Sequence, residues 1–471
     1  MIDIGKNREC FFDDYLIDPE KTTAEFRVHN PVYRGPVMTH SEFWEGDGCD
    51  YHNFFYDDGI WRMYYLGWKM LDANDGIRVC YAESRDGLNW MKPRLGIVEY
   101  KGSKDNNIIL PGSFDNFMVF KDGNPKCPPD KKYKAVAAGR RDGKNCLDRY
   151  FSADAVHFVK DEVPVTWDGA FDSLNVAFWD DRRQKYMCYF RGFHEAEGGL
   201  AKGIAPQPIR DIRCIESADF EHWSDFRLLD FGDAEDIPLY TNLVQPYYRA
   251  PQLYIGFPTR YIQRPGWNGT FDELCGREKR LARMEKSERY GLTVTDCVFM
   301  VSRDGVRFRR YDEAFMPPLP ENGKNWVYGD CYPARGLMEL PSGIPGADPE
   351  LSIFAYDNHW MGEPARFVRY TIRLDGFVSL HAGAGEQAAV TKPFVYDGSQ
   401  LRVNFSTSAR GYMVFTLTGE DGTVIISEET FGNTTDRKVV FPDAAVASLS
   451  GRPVTLRVVM RDADLYSIRF A

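Results

Sequence analysis

The sequence predicts an all-β protein, a five-bladed β-propeller followed by a small C-terminal β-sandwich. Three observations carry this. Aromatic residues make up 14% of the 471, and 41 glycines and 27 prolines are spread along the chain, which favours many short strands joined by turns. A hairpin pattern recurs five times: an acidic or polar leader, a short apolar run, a polar turn and an aromatic-rich second run. A Ser-x-Asp-x-x-x-Trp/Phe box recurs at a period of roughly 65 to 85 residues, the mark of a repeat architecture.

The elements follow in order. Residues 1–35 contain RECFFDDYLID, read as a strand and a polar turn. An N-terminal strand outside the repeats is what a closed propeller needs, so this strand is expected to close the ring. The five hairpins fall at DYHNFFYDDGIWRMYYLG (50–67), FDNFMVF through KYKAVAAG (114–139), FDSLNVAFWDDRRQKYMCYFRGF (171–193), YTNLVQPYYRAPQLYIGF (240–257) and GDCYPARGLMEL through ELSIFAY (329–356). β-prone residues around polar turns dictate that reading. The boxes are SRDGLNW (84–90), SADAVHF (152–158), SADFEHW (217–223) and SRDGVRF (302–308), with a degraded fifth in YTIRLDGFVSL (370–380). In such a box Ser and Asp accept backbone N–H bonds in a tight turn and the aromatic packs back on the sheet, so the boxes are structural. A repeat of this length suits four-stranded blades.

Residues 264–290 interrupt blade four with a charged, helix-prone stretch. It reads as a surface insertion, with a lid or an oligomer contact as the alternatives. The propeller is expected over 1–382, a linker over 383–390 and the sandwich over 391–471, where strict alternation and Gly-containing turns set in. The sandwich is read as a packing appendage or a carbohydrate binder.

The formal net charge is −11 with no Lys/Arg-rich block, which disfavours nucleic acid and anionic membranes as partners. No apolar segment of signal-peptide or membrane-span type appears. The ten cysteines show no Cys-x-x-Cys pair and read as free thiols of a cytoplasmic protein, with no metal site and no cofactor.

In a propeller the innermost strands line the central channel, and their ends converge on one face. The leaders of the five first strands are Asp50, Asp115, Asp172, Thr241–Asn242 and Asp330. Crowded acids push their pKa values apart, so that one stays protonated while another stays ionised. Glycosidic cleavage needs that pair of states. His52, Asn116 and Asn242 lie on the same strands, and Arg191 and Arg260 end second strands. These five are the candidate substrate-binding residues, with Arg191 and Arg260 suited to clamping a carboxylated sugar. Trp44, Trp326 and Trp360 lie in loops where they could stack on sugar faces.

The Asp-led strands, the DG turn, the YYLG-like second strand and the Ser-x-Asp-Gly-x-x-Trp box resemble the five-bladed propeller glycoside hydrolases, the arabinanase/xylosidase group (family 43) and the β-fructosidase group (family 32). The resemblance implies Asp50 as base or nucleophile and Asp115 as the residue that orients the acid. Where it implies a Glu acid on blade three this chain carries Asp172; Asp330 is the other candidate, with Glu339 and Glu195 in reserve. It implies a short oligosaccharide as substrate and exo-acting, inverting hydrolysis, with carboxyls about 6.5–9.5 Å apart. It also admits a structural metal ion in the channel, near His52, and leaves room for a homo-oligomer. A non-catalytic carbohydrate-binding propeller is the alternative.

Overall fold

The computed structural model describes all residues except 71, 73–75, 113, 196–207 and 443–444. Five four-stranded antiparallel sheets form the blades. Their first strands are Asn53–Asp57, Met118–Lys121, Val176–Asp180, Gln245–Tyr247 and Met338–Leu340. Each is an edge of its sheet, and the first strands of blades one to three pack against one another in succession. They therefore line the axis, as the repeat pattern demands.

The ring closes differently from expectation. Val32–Thr39 pairs with Arg366–Arg373 as the fourth strand of blade five. The expected strand, RECFFDDYLID, contributes only Glu9–Cys10, which pairs with Val454–Phe470 in the C-terminal sheet. Ile2–Gly5 and Glu25–Val28 join that sheet too. The reason is apolar content: Phe11, Leu16 and Ile17 bury in the sandwich core rather than between blades. The sandwich is a ten-stranded sheet folded over its own apolar core. Register shifts at Asn404/Phe405 and Thr407/Tyr412 in Leu401–Gly419 let the long strands bend. Part of the expected linker is itself a strand, Gln387–Val390, on Val454–Phe470.

Propeller and sandwich are bolted together at Asp375, which is fully buried. Its carboxylate accepts from Tyr247 Oη (2.8 Å), Arg249 Nε (2.8 Å), Asn404 Nδ2 (3.1 Å) and Ser467 Oγ (2.9 Å), and Arg8 lies 3.3 Å away. The boxes behave as their chemistry predicts. Ser84 Oγ accepts from Gly87 N at 2.9 Å, and Asp86 Oδ1 from Leu88 N and Asn89 N at 2.9 and 2.8 Å. Ser152/Asp154, Ser217/Asp219 and Ser302/Asp304 repeat the arrangement.

The insertion in blade four is not a surface appendage. It holds three helices, α1 (Gly269–Glu273), α2 (Arg277–Lys286) and α3 (Glu288–Leu292). Arg280 and Arg283 of α2 are buried. Arg280 donates to the Trp326 and Gly291 carbonyls, and Arg283 to those of His359 and Trp360. The helix thus buttresses two loops at the mouth of the ring. The ten cysteines are unpaired. Among the described residues no helix is long and apolar enough to cross a membrane.

Candidate functional site

Backbone geometry sets three of the leaders. Asp50, Asn242 and Asp330 are each followed by a residue with left-handed φ: Tyr51 (51°), Leu243 (50°) and Cys331 (56°). For a residue with a Cβ this costs roughly 1–2 kcal/mol, which surrounding packing must offset. Three blades carrying the same strain at the same place identify a designed turn at the head of the inner strand.

Asp50 is the most telling side chain. It is 5% exposed, and its Oδ1 has no hydrogen-bond partner. Burial pushes its carboxyl well above the usual range, the Asp115 charge adds to that, and the Trp68 indole only partly opposes it. Asp115 is reached by solvent yet is also raised, by its recessed position, with Arg191 pulling the other way. Asp172 is half exposed and ion-paired with the buried Arg191, which also donates Nε to the Ala170 carbonyl at 3.0 Å. Asp50, Asp115, Asp172 and Arg191 therefore form one electrostatic group across blades one to three.

Asp330 stands apart. Its Oδ2 accepts from Val327 N at 2.9 Å, capping the turn before it, and its carbonyl accepts from Thr295 Oγ1 at 2.8 Å. It lines a cavity of about 100 Å³ with Tyr33, Tyr356, Asp357 and Tyr370. Burial raises its carboxyl to about 7, against the backbone bonds and Arg283.

The asparagines serve the fold, not a ligand. Asn53 Nδ2 reaches the Phe117 carbonyl (2.8 Å) while its Oδ1 takes Val119 N (2.9 Å). Asn116 Nδ2 donates to the Phe171 carbonyl at 2.6 Å and its Oδ1 accepts from Asn175 Nδ2 at 3.0 Å. Asn242 faces the Leu174 and Tyr189 carbonyls at 3.5 and 3.4 Å. Asn116 and Asn242, expected to bind substrate, are instead part of a girdle that ties each inner strand to its neighbour. Blades five and one are joined directly, Arg335 N to the His52 carbonyl at 2.9 Å.

His52 is likewise not a ligand-facing residue. It is fully buried, its Nε2 lies 3.0 Å from His40 Nε2, and its ring stacks on Tyr65 and Phe367. Burial holds its imidazole neutral. Its Nδ1 has no hydrogen-bond partner. Among the described residues no group of His, Cys, Asp and Glu is placed to hold a metal. Arg260 is spent on Asp296, Nε to Oδ1 at 2.6 Å, and on the Asp312 carbonyl at 2.8 Å. Glu339 is exposed at the far end of its blade, where it accepts from Tyr248 Oη at 2.8 Å, and Glu195 lines a cavity beside blade three. Trp44 is buried with its Nε1 on Asn107 Oδ1 at 2.7 Å, and Trp326 donates to the Leu319 carbonyl.

A wall of tyrosines completes the site. Tyr51 and Tyr328 donate to the Tyr240 hydroxyl at 3.1 and 3.2 Å, and Tyr240 donates to the Asp172 carbonyl at 2.9 Å. Tyr332 packs against Tyr240 and Tyr356, and His359 stacks on Trp360 with ring centroids 4.4 Å apart. The Tyr332 and Tyr356 hydroxyls, His359 Nδ1, Trp360 Nε1 and Ser173 Oγ are buried without a protein partner. Each such atom costs about 1–3 kcal/mol in a dry interior, so they form a buried, unsatisfied polar cluster among the aromatic rings. Blades one, three, four and five supply this wall, so no spacing in the sequence reveals it as a whole. Trp360, as a loop tryptophan, and Ser173, as a polar residue of an inner strand, carry a sequence signal.

No protein-family model and no curated protein matches this sequence. Solved structures similar to it include one described as a glycoside hydrolase, with 12% identity, a TM-score of 0.46, and coverage of 73% of this chain and 92% of that one. The fructofuranosidase of Schwanniomyces occidentalis complexed with fructosylnystose has 10% identity, a TM-score of 0.40, and coverage of 94% and 99%. The Bombyx mori family 32 β-fructofuranosidase has 11% identity, a TM-score of 0.41, and coverage of 96% and 95%.

Proposed function

We propose that the protein is a glycoside hydrolase that cleaves short oligosaccharides by paired-carboxyl catalysis, with Asp50 as proton donor and Asp115 as the carboxylate that works with it. The observation that carries this is the setting of Asp50: buried, electrostatically coupled to Asp115, its carboxyl pushed well above the usual range and one oxygen unsatisfied. Two interacting carboxyls titrate as a pair, and the more buried one keeps the shared proton. That is the division of labour a glycosidic bond requires, and it departs from the family resemblance, which makes Asp50 the base or nucleophile and Asp115 the residue that orients the acid. Asp172, held by Arg191 and bonded through its carbonyl to Tyr240, fixes the rim against which a sugar would lie. Asp330, which caps a turn, is not assigned a step.

Two finer readings belong to this proposal. Asp115 is solvent-reached, which suits a base that activates water and hence inversion. The asparagine girdle ties the inner strands below the leaders, and that favours taking a chain end, an exo course. The test is a panel of aryl glycosides with wild type, Asp50→Asn and Asp115→Asn, with the product anomer read by proton NMR. Hydrolysis lost in both variants, with the inverted anomer from wild type, is the expected result. Activity indifferent to Asp50→Asn overturns the mechanism. Sugar binding without hydrolysis of any glycoside would establish the alternative, a carbohydrate-binding propeller.

A further inference from the structure

Two buried guanidiniums lie beside the tyrosine wall. Arg191 and Arg210 flank the same two rings. Arg191 Cζ is 4.8 Å from the Phe193 centroid and 5.2 Å from that of Tyr240; Arg210 Cζ is 5.6 and 5.9 Å from the same two. Their chemistry differs. Arg191 is neutralised by Asp172. Arg210 is 8% exposed and its Nε has no hydrogen-bond partner. Its guanidinium lies 3.9 Å from the Tyr261 ring centroid, and it lines a cavity of about 550 Å³ between blades three and four.

Five carboxylates line that cavity, Glu195, Asp211, Asp230, Glu235 and Asp236, and the three aspartates are committed elsewhere. Asp211 pairs with Arg213 and His194, Asp236 with His194, and Asp230 with Arg307. Arg310 pairs with Asp312. Among the described residues Arg210 is the one cation of the cavity with no counter-ion. A buried cation is expensive to leave unpaired, and a cation–π contact offsets only part of that cost.

We propose that Arg210 recognises the carboxylate of an acidic sugar, so that the substrates are glycans carrying a uronic acid at or next to the residue being cleaved; this rests on the glycoside hydrolase reading. The planar guanidinium matches a planar carboxylate as a bidentate pair. The surrounding Asp211, Asp230 and Asp236 favour a singly charged group over a sulfate- or phosphate-rich one, because like-charge repulsion grows with ligand charge. Tyr261 and Tyr240 hold the guanidinium in the orientation the pair needs. The clamp that sequence spacing assigned to Arg191 and Arg260 thus falls to a third arginine, because those two are already paired within the protein.

The test is calorimetric titration of wild type, Arg210→Lys and Arg210→Gln with methyl β-D-glucuronide, methyl α-D-galacturonide, their neutral counterparts and a 6-sulfated galactoside. Thermal melts verify that the variants fold. At least one uronide is expected to bind wild type about tenfold or more tighter than its neutral counterpart. Arg210→Gln should abolish that preference and Arg210→Lys retain part of it. No uronide binding at the highest soluble concentration, equal binding of neutral sugars, a preference for the sulfated sugar, or a preference that survives Arg210→Gln overturns the inference. Uronide binding with no glycoside hydrolysed leaves Arg210 standing and defeats the hydrolase reading. Hydrolysis of neutral glycosides untouched by Arg210→Gln does the reverse.

Discussion

Glu45 and Asp50 are two buried carboxyls five residues apart on the approach to the same strand, and they are opposites. Glu45 is fully buried. Lys92 Nζ lies 2.7 Å from its Oε2, the Tyr65 hydroxyl donates to Oε1 at 2.6 Å, the Glu42 amide donates to Oε2 at 2.9 Å, and His40 is 3.5 Å away. Burial pushes its carboxyl up, but the His40 ring and the Lys92 ammonium outweigh that and hold it at about 2. Asp50 has comparable burial, no cation and an unsatisfied oxygen, and stays neutral. Burial alone thus says nothing about role. The partners decide it: a satisfied acid is part of the frame, and an unsatisfied one is held ready for a ligand.

The contrast is broken or sharpened by substitution. The largest effect expected is from Asp50→Asn, a loss of about 10³-fold in kcat/KM on whichever glycoside the wild type cleaves, with a melting temperature equal to or above wild type. Glu45→Gln should do the converse. It strands Lys92 and costs about 3 kcal/mol in denaturant unfolding at pH 7, while kcat/KM stays within a few-fold. The Glu45 carboxyl is depressed in the fold, so its contribution is full above its unfolded value of 4.5 and is lost as pH falls toward 2. The gap between wild type and Glu45→Gln therefore closes over that window. An Asp50→Asn variant as destabilised as Glu45→Gln would erase the distinction.

Asp330 is the intermediate case, buried like Asp50 but bonded to backbone. Its folded value of about 7 lies above the unfolded 3.8, so the folded state binds more protons and stability falls as pH rises between the two. Asp330→Asn keeps an acceptor for Val327 N and removes the charge. It should stabilise by roughly 2 kcal/mol at pH 8 and by progressively less toward pH 4, read as melting temperature against pH. The smallest effect belongs to the repeat boxes: Ser152→Ala removes the acceptor for Ala155 N and should cost about 1 kcal/mol with activity unchanged.

What the sequence reveals follows the same division. Local chemistry is readable. The Ser-x-Asp turns form as their donors and acceptors require, and Asp50, Asp115, Asp172 and Arg191 emerge from repeat register alone. The ring-closing strand is not readable, because VYRGPVMT at 32–39 carries Gly35 and Pro36 and resembles a loop. Asn116 and Asn242 read as substrate-binding residues from their place on the inner strands, and sequence cannot distinguish a ligand from the neighbouring backbone as their partner. His52 reads in the same way and lies in the core with His40. The tyrosine wall and Arg210 come together from different blades, so no spacing records them. The arginines show the limit best. Arg260 and Arg191 end second strands and stand out in sequence where Arg210 does not, yet both are taken by the partners Asp296 and Asp172.

The central claim, that Asp50 is held neutral beside an ionisable partner, can be tested without knowing the substrate. Infrared difference spectra of wild type minus Asp50→Asn at pH 7 should show the carbonyl stretch of one protonated carboxyl, insensitive to pH between 5 and 7. A difference spectrum showing only ionised carboxylate at pH 7 would contradict it.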